Sequence, residues 1–119
     1  MTLDEFTTAI ADAIKADPEL RSLKMPFHLG IPPADDAGKP MAPCVTLDGI
    51  VCIDDKLGAW TANVNLWGDD MSLSFLQLSQ RFLRILDGTG VVQTSGFLSR
   101  PEAENGINRS LYPVRFYIT

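Results

Sequence analysis

Few residues in this sequence are of the types that make or break bonds, and their spacing limits what they can do. The only histidine, His28, stands between Phe27 and Leu29 in an apolar run. Acid–base catalysis and metal ligation both need a second group within reach, and none is adjacent, so a structural or exposed role is expected. The acidic pairs Asp35-Asp36, Asp54-Asp55 and Asp69-Asp70 lack the spacing of a calcium loop. Each falls where a turn or helix cap would use a carboxylate for local hydrogen bonding; the rival reading is a weak divalent-ion site at a subunit contact. Ser72, Ser74 and Ser79 recur through a helical run with no base nearby. Gly88-Thr89-Gly90 follows a helix and precedes an apolar run, the reverse of the order that cradles a dinucleotide phosphate. No catalytic residue, cofactor or metal is expected.

The two cysteines lie in Cys44-Val45-Thr46-Leu47-Asp48-Gly49-Ile50-Val51-Cys52-Ile53. Asp-Gly between two β-prone runs predicts a two-residue hairpin. In that register Leu47 faces Ile50, Val45 faces Cys52 and Cys44 faces Ile53. The thiols then point to opposite sides of the sheet, so two free, mostly buried cysteines are expected rather than a disulfide.

The elements around these residues follow from capping and periodicity. Thr2-Leu3-Asp4-Glu5 is a capping box, and Leu3, Phe6, Ile10, Ala13 and Ile14 make one apolar stripe of a first helix. Asp17-Pro18 restarts a short helical turn that Pro26 ends. Residues 27–31 read as a strand, with Phe27, Leu29 and Ile31 on one face, and residues 32–43, with four prolines, as an extended loop. From 59 to 67, Trp60, Ala62, Val64 and Leu66 alternate with Thr61, Asn63, Asn65 and Trp67, the pattern of a half-buried antiparallel strand. Trp60 falls on the core face; Trp67, on the other, is read either as packing or as an interface anchor. Gly68-Asp69-Asp70 caps a second helix over 71–86, whose main stripe is Met71, Phe75, Leu78, Phe82 and Ile85. Leu76 and Leu83 form a second stripe that must pack on the first helix or on another subunit. Residues 91–98 and 111–118 are expected as closing strands, with Pro113 favouring an edge or a strand start. The polar residues 99–109 between them are expected as a long loop. The order predicts one α+β domain over 1–119: a mainly antiparallel sheet with two principal helices on one face.

Composition narrows the function. Ten Lys+Arg against fifteen Asp+Glu give a net charge of −5, which argues against a protein that grips nucleic acid by neutralising phosphates. No stretch reads as a signal peptide or membrane span, so folding in a cytoplasm is expected.

The order and spacing of several segments carry a resemblance. Lys15-Ala16-Asp17-Pro18-Glu19-Leu20 closes the first helix, and a strand leads to Gly30-Ile31-Pro32-Pro33. Pro43-Cys44-Val45-Thr46-Leu47 follows. Ala62-Asn63-Val64-Asn65-Leu66-Trp67 runs into the long helix ending Phe82-Leu83-Arg84-Ile85-Leu86-Asp87-Gly88, and Arg115-Phe116-Tyr117-Ile118 closes the chain. Over nearly its full length the sequence resembles the tail terminator (tail-completion, or neck) proteins of long-tailed bacteriophages. The resemblance implies a structural virion protein, not an enzyme: a hexameric ring of self-associated subunits at the head-proximal end of the tail. Its partners would be the major tail tube protein and the head-completion (connector) protein. It would assemble in the host cytoplasm and pass the genome DNA through its lumen without specific binding, with no membrane involved. Candidate contact residues are Leu76, Leu83, Trp67, Arg100, Glu102, Glu104 and Arg109. The alternatives are another head–tail connector or minor tail protein, and a small-ligand-binding or enzymatic α+β module.

Overall fold

In the computed structural model, which describes residues 1–102 and 107–119, the elements run α1 (Leu3–Ala16), α2 (Pro18–Ser22), β1 (Phe27–Leu29), β2 (Cys44–Asp54), β3 (Ala59–Gly68), α3 (Leu73–Gly88), β4 (Leu98–Glu102) and β5 (Ile107–Tyr117). The strands form one sheet in the order β1-β2-β3-β5-β4. β1 pairs parallel to β2, and every other pairing is antiparallel. The α+β class and the mainly antiparallel sheet are as the sequence predicts.

Local chemistry explains where the helices begin. The Thr2 hydroxyl accepts from the Glu5 amide at 3.1 Å while the Thr2 amide donates to Glu5 Oε1 at 3.2 Å, satisfying two otherwise unpaired groups of α1. Asp17 caps α2, its Oδ2 accepting from the Leu20 amide at 3.0 Å. The same carboxylate receives Arg81 of α3 at 2.8 Å, tying the two helices together. Arg81 holds the Asp17 carboxyl below the usual carboxylate range. Ser72, not the Asp69-Asp70 pair, caps α3: its hydroxyl accepts from the Phe75 amide at 3.2 Å, so the helix starts after the residues expected to cap it.

The core lies between the helices and one sheet face. Phe6, Ile10 and Ile14 of α1 and Phe75, Phe82 and Leu86 of α3 pack on Val45, Leu47, Val64, Leu66, Tyr112, Val114 and Phe116. Phe6 stacks on Phe116 with ring centroids 3.8 Å apart, and Phe82 meets Tyr112 edge-on at 5.2 Å. Gly68 lets Phe75 of α3 lie against the end of β3, because a Cβ there would stand 2.5 Å from the Phe75 ring. A buried hydroxyl chain crosses the core: Tyr112 donates to the Ser79 carbonyl at 2.6 Å, and the Ser79 and Ser110 hydroxyls lie 2.7 Å apart. Burial pushes the Tyr112 phenol well above its ordinary pKa.

Further sequence expectations are corrected, among them the burial of both cysteines: Cys44 is buried but Cys52 is exposed. Asp48-Gly49 is a bulge, not a hairpin turn: β2 runs on to Asp54 and both of its halves pair with β3, as in Val45↔Leu66 and Val51↔Thr61. Gly49 does adopt the positive φ expected of it, +59°, and a Cβ there would stand 2.8 Å from Asn63 Nδ2. Bulges and tight turns draw on the same glycine freedom, so the dipeptide alone does not separate them. The turn comes at Asp54–Gly58, where Asp54 Oδ1 accepts from the Leu57 amide at 3.1 Å. Residues 91–98 are not a strand before Leu98; only Gln93 pairs, bridging Arg115. Residues 99–109 are not all loop, since β4 reaches Glu102 and β5 begins at Ile107. Pro113 is therefore interior to β5. Arg115 exchanges both backbone bonds with Gln93 on the side away from β3. Pro113, two residues earlier, faces that same side beyond the end of β4, so its missing N–H interrupts no ladder bond.

Candidate functional site

The sheet face turned away from the helices holds the arrangement least like an ordinary core. Alternation places Thr61, Asn63, Asn65 and Trp67 of β3 there, beside Cys44, Thr46 and Asp48 of β2, and cross-strand register adds Arg109, Arg115 and Arg100. This face has two halves of different character.

Toward the end of β3 the half is closed. Cys44, Trp67 and Ile107 form a small buried cluster against Ala42. Below them a polar network is fully engaged. The Thr46 hydroxyl accepts from Trp67 Nε1 at 2.8 Å and from Asn65 Nδ2 at 3.1 Å. Asn65 Nδ2 also donates to Asp48 Oδ2 at 3.2 Å, and Asn65 Oδ1 accepts from Arg109 Nε at 2.8 Å. The Arg109 guanidinium lies 5.2 Å from the Trp67 ring centroid, 3.4 Å from Glu102 and 3.8 Å from Asp48. Arg100 reaches Glu102 at 3.2 Å. Two arginines thus balance two carboxylates across four strands, and Thr46 and Asn65, both wholly buried, find their partners here. Burial pushes the Cys44 thiol up to about 11.

Toward the start of β3 the half is open. The Gly49 bulge on one side and residues 93–95 on the other flank a trough of about 650 Å³ floored by Thr61, Asn63, Pro113 and Arg115. No acidic side chain lines it. Among the described residues no carboxylate stands within ion-pair distance of Arg115, which is exposed. Val51, paired with Thr61, stands beside this half and is 54% exposed.

The structure brings together Trp67, Arg100, Glu102 and Arg109, four of the contact residues that the sequence nominates. Trp67 is only 4% exposed, so within the single chain it packs as a platform for Arg109. Glu104 lies outside the described residues. The second helical stripe divides: Leu83 is half-buried and packs on the core, whereas Leu76 is exposed. The sequence does not reveal the roles of Thr46, Asp48 and Asn65, because these depend on which strands neighbour which. The signal for Arg115 and Asn63 was present as the polar half of each strand's alternation.

Among the described residues no group of three or more His, Cys, Asp or Glu is placed to hold a metal ion, and no helix is long and apolar enough to cross a membrane. No protein-family model matches the sequence, and no curated protein does.

Proposed function

We propose that this chain is a structural subunit of a phage tail, a tail terminator that assembles into a hexameric ring. The ring caps the head-proximal end of the tail tube, ends its polymerisation and offers a surface to the head-completion protein. Two lines support this reading: the sequence resemblance over nearly the full length, and the placement of the exposed apolar side chains. The second carries it within the structure. Ile50, Val51, Ile53 and Leu57 cluster around the β2–β3 hairpin, and Met71, Leu73 and Leu76 cluster beyond the far end of β3; each is at least 40% exposed. Leu29, Ile31 and Met41, in β1 and the loop after it, and Leu98 of β4 are exposed as well; the two groups at opposite ends of β3 are the ones that match a subunit meeting its neighbours head to tail. Such heterologous contacts close into a ring when the rotation between copies allows.

The acidic balance fits the same role. Six copies multiply a charge of −5, and a lumen of that sign repels phosphate, so DNA would slide rather than stick. The test is electron microscopy of the purified chain, alone and added to tail tubes, with antibody labelling of intact particles. Rings of six and label at the capsid–tail junction are expected. Label elsewhere on the particle, or a small molecule seated in the trough with turnover, would overturn the proposal.

A further inference from the structure

We infer that the trough on the outer face is the acceptor for a second copy of this chain, and that the segment it accepts is residues 69–73. The inference rests on the ring reading above and names the surfaces that meet. The trough presents Arg115 with no carboxylate in ion-pair distance among the described residues, the amides of Asn63 and Gln93, and hydroxyls such as Thr61, a set of donors that suits a carboxylate. Residues 69–73 offer that chemistry. Asp69 and Asp70 are exposed and, among the described residues, have no basic side chain within ion-pair distance. They are followed by Met71, 40% exposed, and Leu73, 71% exposed.

In the other Asp-Asp pairs one carboxylate is already committed to its own turn. Asp35 Oδ1 accepts from the Ala37 and Lys39 amides, both at 2.9 Å, folding its own loop. Asp54 Oδ1 accepts from the Leu57 amide at 3.1 Å and so holds the hairpin turn. Asp55 also lies between exposed apolar residues, Ile53 and Leu57, but at the same end of the sheet as the trough; the Asp69-Asp70 pair, with Met71 and Leu73 beside it, stands at the opposite end, where the next copy's Val51 could cover it.

Geometry favours two copies over one. Asn63 and Asp69 are separated by roughly 20 Å of strand at ~3.3 Å per residue, so no chain can place its own segment in its own trough. Donor and acceptor at opposite ends of β3 suit a heterologous contact, in which each copy receives one neighbour while entering another; a reciprocal two-fold exchange would instead stop at a dimer, which native mass spectrometry would detect and which would overturn this docking. The chain then repeats a single contact around the annulus, with Leu76, exposed on the first turns of α3, beside each junction.

A charge exchange tests this by native mass spectrometry and sedimentation of the purified chain, with circular dichroism as the folding control. Arg115→Glu alone and Asp69→Lys with Asp70→Lys are each expected to weaken self-association about tenfold or more, because like charges would then face each other. Combining all three changes should restore assembly, as should mixing the two single-sided variants. Should a charge-reversed chain lose its fold, Arg115→Gln and Asp70→Asn provide the same comparison with smaller losses. Rings that form undiminished by Arg115→Glu overturn this docking and leave the ring reading standing. So does a loss of assembly in folded variants that neither combination nor mixing restores. A wild-type chain that stays monomeric at every concentration overturns both.

Discussion

The two faces of the sheet are made from the same strands by different physics. On the helix side, side chains such as Phe6, Phe82, Leu86 and Phe116 are buried against α1 and α3, and the hydroxyl chain through Ser79, Ser110 and Tyr112 is the polar thread. On the outer side the closed half is held by charge and amide chemistry around Arg109, with Trp67 as its floor. A face without helices above it still buries Thr46 and Asn65 completely, because the network supplies a partner for each. Hydrophobic burial tolerates approximate geometry, whereas a buried polar network is stable only when complete.

This contrast can be broken in graded steps. The largest difference is in reactivity: Cys52 is exposed, while Cys44 is wholly buried with its thiol held protonated at neutral pH. A thiol reagent should label one cysteine of the native chain promptly and the other only after unfolding; two fast thiols would mean that the outer cluster is open. Next in size, Phe82→Ala should cost about 3–5 kcal/mol in urea unfolding, the range for emptying a buried aromatic site. Arg109→Met keeps an apolar stem over Trp67 but removes the donor to Asn65 and the cation facing Asp48 and Glu102. It should cost about 1–3 kcal/mol, the penalty of unpaired buried polar groups. A cost near zero would show that the network adds nothing net.

The smallest effect belongs to the tie between α2 and α3. Arg81 lowers the folded-state pKa of Asp17, so the pair stabilises fully above the unfolded carboxylate's value of about 3.9 and fades as pH falls through the lower folded value. Asp17→Asn keeps a capping side chain and loses the charge. It should therefore be slightly less stable than wild type at neutral pH and equal to it in strong acid. A difference that grows on acidification would contradict this assignment.

Local signals were legible in the sequence and cross-strand ones were not. The Thr2-Glu5 box, the Asp17-Pro18 restart and the strand from Trp60 to Trp67 are each decided by neighbours in the chain, and each is found in the structure, although Asn65 and Trp67 are buried where a half-buried strand is expected. Asp48-Gly49 predicts a turn where the structure has a bulge, because what separates the two is whether the next residues find β3 or fold back on β2. Residues 99–102 of β4 read as loop because Arg100, Pro101 and Glu102 lack apolar alternation. It forms because Leu98 pairs with Leu111 and Arg100 with Arg109, which residues 98–102 alone do not reveal. The helical stripe of Leu76 and Leu83 was legible as surplus, but its division between core and surface depends on how α1 packs. The convergence of Trp67, Arg100, Glu102 and Arg109 on one face likewise required the register.

Sedimentation velocity over a wide concentration range measures the central claim, that this chain works as a repeating tile. The account predicts a monomer in equilibrium with one closed species of six copies, favoured as concentration rises and by added tail tube protein. A single monomeric boundary throughout, or open-ended growth with no preferred size, would contradict it.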